Sequence, residues 1–137
     1  MVEGKFVLPA KYAEAIGRIA DTWAHLEFQI DLGIWELANV EQQLGACITS
    51  QFNSVIPRLR AFIALCELRG AKKKSVDSLK TYSGNIGGFI DKRNRAVHDP
   101  RMIEQTTGEV VRLEIIAKPK ITFEFLPEEI SGLEKNL

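Results

Sequence analysis

Residues 11–37 read KYAEAIGRIADTWAHLEFQIDLGIWEL. Within them Tyr12, Ile16, Ile19, Trp23, Leu26, Ile30, Ile34 and Leu37 recur at steps of three and four. A helix turns by about 100° per residue, so these steps gather the apolar side chains into one stripe. A stripe this long on a single helix marks a bundle member and sets the fold class as mainly α. Asn39 is the expected stop, and Trp23 is expected in the core.

Before this helix, residues 1–9 read as an extended lead-in closed by Pro9. After it, a short helix is expected from Val40 or Glu41 through EQQLGACIT, weakened by Gly45. Residues 51–54 read as a break. Ser54 is placed to cap a third helix, with Pro57 in its first turn, where a missing N–H costs little. Leu59, Phe62, Ile63 and Cys66 give that helix its apolar face, and Arg69-Gly70 ends it. AKKKS at 71–75 reads as a polar connector, with a fourth helix starting at Ser75. Val76, Leu79, Tyr82, Ile86, Phe89, Ile90 and Val97 keep helical spacing in it, interrupted by Gly84, Gly87 and Gly88. Close approach of another backbone is the expected reason for these glycines, and a bend is the alternative. Asp99-Pro100 ends the helix, because a residue before proline avoids the helical region.

Beyond Pro100 the apolar period falls to two. Val111, Leu113 and Ile115 alternate with Arg112 and Glu114, and Ile121, Phe123 and Phe125 alternate with Thr122 and Glu124. Turn signals at Thr107-Gly108 and Lys118-Pro119 divide residues 101–126 into two or three antiparallel strands. Pro127-Glu128-Glu129 is expected to open a short last helix over 127–137. The expected architecture is a single domain over 1–137. It comprises a four-helix up-and-down bundle over 10–100, a small antiparallel β appendage and a short C-terminal helix.

Composition narrows the function classes. The 137 residues are 45% hydrophobic and 26% charged, as in an ordinary globular protein. Eighteen Lys and Arg balance eighteen Asp and Glu, so any anion site must be a local cluster. The longest strongly apolar run, AFIALC at 61–66, is far short of the ~20 residues of a membrane span. The first ten residues lack a secretion pattern, so a cytoplasmic, reducing setting is expected, with Cys47 and Cys66 as core thiols. The chain carries no HxxxH, HExxH or Asp-rich triplet, no P-loop, and no nucleophile paired with a base. No metal and no cofactor are expected.

The chemistry-bearing stretch is DKRNRAVHDP at 91–100. Asn94 and His98 are four apart and share a helix face. Arg93 points about 140° from His98 and lies ~7.5 Å away along the axis, a gap that a long side chain can narrow. Together these groups suit a phosphate. Arginine forks onto phosphate oxygens, and histidine exchanges protons near neutral pH. RNA brings its own nucleophile, the 2′-hydroxyl, so cleavage needs no metal.

RNRAVH at 93–98, an Arg followed by a polar residue with His five places on, resembles the motif of HEPN domains, which are helical bundles carrying it late in the chain. The resemblance covers about residues 10–100. It implies a metal-independent endoribonuclease, toxin- or defence-related, that works as a homodimer with motifs from both chains meeting. On the matching positions Arg93 would stabilise the phosphate, His98 would transfer protons and Asn94 would assist. Lys92, Arg95 and Arg101 are the expected RNA contacts, and an antitoxin or other partner protein is a possible companion.

Blander readings stand beside this one. The cations of the last turns suit the carbonyl end of a helix, and Arg93 has potential partners in Glu27 and Asp31, which are acids four apart. A non-catalytic phosphate- or nucleotide-binding module is a further alternative. So is a dimeric interaction module acting through a partner protein, for which Trp35, outside the main stripe, and the short last helix are the motives. Glu27 and Asp31 read more simply as partners of an arginine on a neighbouring helix, His25 as a boundary residue, and Lys72-Lys73-Lys74 as a solvated loop.

Overall fold

The stripe of residues 12–37 becomes α1 (Ala10–Ala38), and its stop is the expected one. Asn39 adopts φ 57°, and the amides of Asn39 and Val40 donate to the carbonyls of Glu36 and Trp35. That pair of bonds closes a helix end around a left-handed residue, which asparagine tolerates. The computed structural model describes residues 4–5, 7–118 and 120–135, with side chains described over 7–114 and 126–135. Four more main helices follow: α2 (Gln42–Thr49), α3 (Val55–Leu68), α4 (Lys73–Asn85) and α5 (Gly87–His98). An antiparallel sheet of β1 (Gly4–Lys5), β2 (Arg101–Glu104), β3 (Val110–Lys118) and β4 (Lys120–Pro127) is ordered β1-β2-β3-β4, and α6 (Ile130–Glu134) comes last. The protein is thus mainly helical with a small antiparallel sheet and a short final helix, as its periodicity indicates.

Several local expectations change. The fourth helix is two helices, parted at Ile86. A Cβ placed on Gly84, Gly87 or Gly88 would meet nothing within 4 Å, so these glycines mark a break and not a close approach of backbone. The connector is shorter than AKKKS, since α4 starts at Lys73. Pro127 ends β4, paired with Val111, and α6 starts three residues later and spans only five. Ser54 holds the N-cap position of α3, but its hydroxyl makes no capping bond; its carbonyl accepts from Arg58 instead. The turn expected at Lys118-Pro119 lies partly outside the described residues, because Pro119 is not among them.

The chain divides into two compact units, Trp23–Phe89 and Met1–Thr22 with Ile90–Leu137. In Trp23–Phe89 the end of α1 packs with α2, α3 and α4. Ile63, Cys66 and Val76 form its buried cluster, with Leu37, Phe62 and Leu79 against them. Trp35 is buried here at 8% exposure, whereas Trp23, the expected core residue, is only half-buried. The Trp35 indole N–H donates to Thr49 Oγ1 at 3.1 Å, and that hydroxyl donates to the Gly45 carbonyl at 3.1 Å. A Cβ on Gly45 would lie 2.4 Å from Trp35 Cγ, so the glycine that weakens α2 is what lets the indole lie against it. The motive for an interaction module drawn from Trp35 therefore falls. Cys47 is exposed, contrary to expectation, and Cys66 is buried.

The other unit is built around Tyr12, Ala15, Ile19, Ala96, Val110 and Leu133. These come from α1, α5, β3 and α6, so the sheet and the last helix close this core. The Tyr12 hydroxyl donates to the Glu128 carbonyl at 2.9 Å and ties the chain's end to its first helix. In the sheet Met102 pairs with Val111 and Leu113 with Phe125.

Candidate active site at the end of helix α5

Ala96 is buried at 2% exposure and Val97 packs on the same core, which fixes the rotation of α5. Relative to Ala96, Asn94 and His98 then fall about 160–200° round the helix, on the outer face. Both are exposed. His98 makes no hydrogen bond or ion pair among the described residues. Arg93 lies nearer the Ala96 side and is half-buried, with its Nε enclosed and unpartnered. One of its terminal nitrogens donates to Asn94 Oδ1 at 3.0 Å. The structure therefore brings Asn94 and His98 to one face and links Arg93 to that face through Asn94. The acids proposed as partners of Arg93 are engaged elsewhere: Arg58 holds Asp31 at 3.0 Å and Glu27 at 3.8 Å. That places Glu27 and Asp31 as partners of an arginine on a neighbouring helix.

The remaining cations of the stretch differ. Lys92 is exposed. Arg95 meets Glu114 at 3.1 Å and Asp99 at 3.6 Å. Arg101 is 6% exposed. Its guanidinium donates to the Asp99 carbonyl at 2.9 Å and the Arg95 carbonyl at 3.5 Å, and meets Glu128 at 3.4 Å. Arg112 reaches Glu114 at 3.3 Å, Glu128 at 3.4 Å and Asp99 at 3.7 Å. Three arginines thus face three carboxylates, a neutral set. Burial of such a set is tolerable only because each charge has a partner. Sequence reading missed this network. By local pattern Asp99 reads as a helix stop, Glu128 as a first-turn acid, and Arg112 and Glu114 as polar alternates of a strand. The available signal was that residues two apart in a strand share a face.

A cleft of about 430 Å³ adjoins the network, lined by Lys92, Arg95, Arg112, Glu114, Glu128 and Lys135 among others. Its walls mix both signs of charge, so it gives no strong field for an anion. Among the described residues no group of three His, Cys, Asp or Glu could hold a metal ion. No described helix is long and apolar enough to cross a membrane.

Three titrating groups away from the helix end are shifted, among them Lys80, which its hydrogen bond to the Glu67 carboxylate pushes up. The Glu104 carboxylate accepts the amides of Thr107 at 2.9 Å and Thr106 at 3.1 Å, and these bonds hold its pKa at about 2. Burial pushes the Cys66 thiol up. Comparison of the chain with protein-family models, with curated proteins and with solved structures finds no match.

Proposed function

We propose that this chain is a metal-independent endoribonuclease of HEPN-like type whose site is the exposed end of α5. One observation carries the reading. Arg93 and His98, the two groups such a site needs, have no carboxylate partner among the described residues, while Arg95, Arg101 and Arg112 are neutralised. A guanidinium free of carboxylates keeps its charge for a phosphate, and an open imidazole can reach substrate oxygens. Lys92 is the accompanying phosphate contact. Arg95 and Arg101 leave the RNA-contacting set, because their guanidinium groups hold the fold together.

The reaction follows from these roles. The 2′-oxygen bonds to phosphorus as its proton passes to an imidazole. The P–O5′ bond breaks, and the 5′-oxygen takes a proton from a second, protonated imidazole. The products are a 2′,3′-cyclic phosphate and a 5′-hydroxyl. Arg93 carries the charge that grows on the phosphoryl oxygens. Since one chain supplies one His98, two copies meeting at α5 complete the site. A homodimer in sedimentation is therefore expected of the active protein.

The test is RNA cleavage in EDTA by wild type and His98→Ala, with end analysis. Wild type should give cyclic phosphate ends, and His98→Ala should lose about 100-fold or more in rate while remaining folded. Unchanged activity in His98→Ala would remove the assignment.

A second reading, a non-catalytic module that docks on a partner protein, draws on a different feature. Phe28, Leu32, Leu44 and Ile48 are 37–50% exposed, in two pairs at helical spacing on α1 and α2. Absence of cleavage by wild type across structured and unstructured RNAs would favour it.

A further inference from the structure

We infer that Arg101 is a positioning residue for His98. The inference rests on the reading of His98 as the proton-transfer group. A helix ends with carbonyls that lack intrahelical donors, and the last turn frays unless something binds them. At the end of α5 a side chain adds to the backbone donors. Arg101 is the buried cation of this region, with its side chain only 2% exposed. It donates to the carbonyls of Arg95 and Asp99, which bracket His98 in the sequence. Glu128 Oε1 accepts from the same guanidinium nitrogen that reaches the Arg95 carbonyl. The Asp99 amide in turn donates to Arg95, and the Leu113 amide donates to the Pro100 carbonyl. His98 thus stands on a turn whose flanking residues are fixed on both sides, although its own ring touches no described partner.

This arrangement separates the reactive group from the group that aims it. An exposed imidazole on a frayed helix end would sample many directions. On a clamped end its Cα–Cβ bond has one direction, and only side-chain rotation remains. The planar fork matters here. Lysine is a point charge on a flexible stem and cannot take two carbonyls and a carboxylate in that fixed geometry.

The experiment compares wild type, Arg101→Lys and Glu128→Gln by amide exchange and backbone chemical shifts, together with RNA cleavage. In Arg101→Lys the Asp99 amide should exchange at least tenfold faster, with the Cα shifts of Val97, His98 and Asp99 moving towards coil. Shifts at the start of α5 should stay in place. kcat should fall tenfold or more with KM unchanged, as expected for lost positioning and not lost binding. Glu128→Gln keeps an acceptor for the guanidinium and should show the same changes at smaller size. It also supplies the answer if Arg101→Lys does not fold. Unchanged exchange and shifts at residues 97–99 in a folded variant would overturn the inference. The exchange arm reads positioning without any RNA, so a wild type that cleaves nothing would remove the proposed activity and leave the clamp itself measured.

Discussion

The two units of this chain are stabilised in contrasting ways. Trp23–Phe89 closes on apolar packing, with Trp35 laid against Gly45 and one arginine, Arg58, between two acids. The other unit has a small apolar core with a six-membered charge network beside it, joining α5, β2, β3 and the segment before α6. The first unit should respond most to changes of shape, and the second to changes of charge. Both absorb arginines into carboxylates. The proposed function gives its chemistry to Arg93 and His98 at the end of α5, which meet no carboxylate among the described residues.

The largest expected effect sharpens the charge side of that contrast. Arg112→Met removes the cation that meets three carboxylates and leaves the three facing only Arg95 and Arg101, at a cost of about 4 kcal/mol in urea unfolding. Arg58→Met removes a cation that meets only two carboxylates, with more solvent near Glu27; it should cost less, and a larger loss there would break the contrast. Next is shape. Gly45→Ala should cost about 2 kcal/mol, because the new methyl would overlap the Trp35 ring. Gly84→Ala meets open space and should instead stabilise by about 0.5–1 kcal/mol, since helical glycine carries a backbone entropy cost. Equal effects at the two positions would refute the packing account.

Much of this was legible in the sequence. The stripe of α1, the stop at Asn39, the end at Gly70 and the change of period after Pro100 follow from local rules, because spacing and backbone preference act within a few residues. Two kinds of feature were not legible. The three glycines at 84–88 are compatible with both a break and a close approach, and only the space around them decides. The charge network joins Arg95 to Glu114 and Arg101 to Glu128, pairs 19 and 27 residues apart, so no local pattern marks it. Of the site, the shared face of Asn94 and His98 was readable from spacing. The burial of Arg101 was not, because it depends on where β2 sits against the end of α5.

A smaller effect concerns the loop between β2 and β3. The Glu104 pKa is lowered to about 2 by its bonds to Thr107 and Thr106, from its ordinary value near 4.5. Its folded pKa is depressed, so its contribution to stability is complete above the unfolded value. That contribution is lost as pH falls from there through about 2. A carboxyl titration by NMR should show Glu104 still ionised at pH 3. A midpoint near 4.5 would mean that the loop bonds do not form.

In the proposed function Arg93 and His98, which meet no carboxylate among the described residues, act while the paired arginines hold the fold. Arg93→Met tests it most directly, because methionine keeps an apolar stem and removes only the charged fork. RNA cleavage and urea stability would be measured on the same preparation. The account predicts a loss of about 100-fold or more in cleavage, with stability within about 0.5 kcal/mol of wild type. Unchanged cleavage with a stability loss of about 2 kcal/mol would contradict it and make Arg93 another structural arginine.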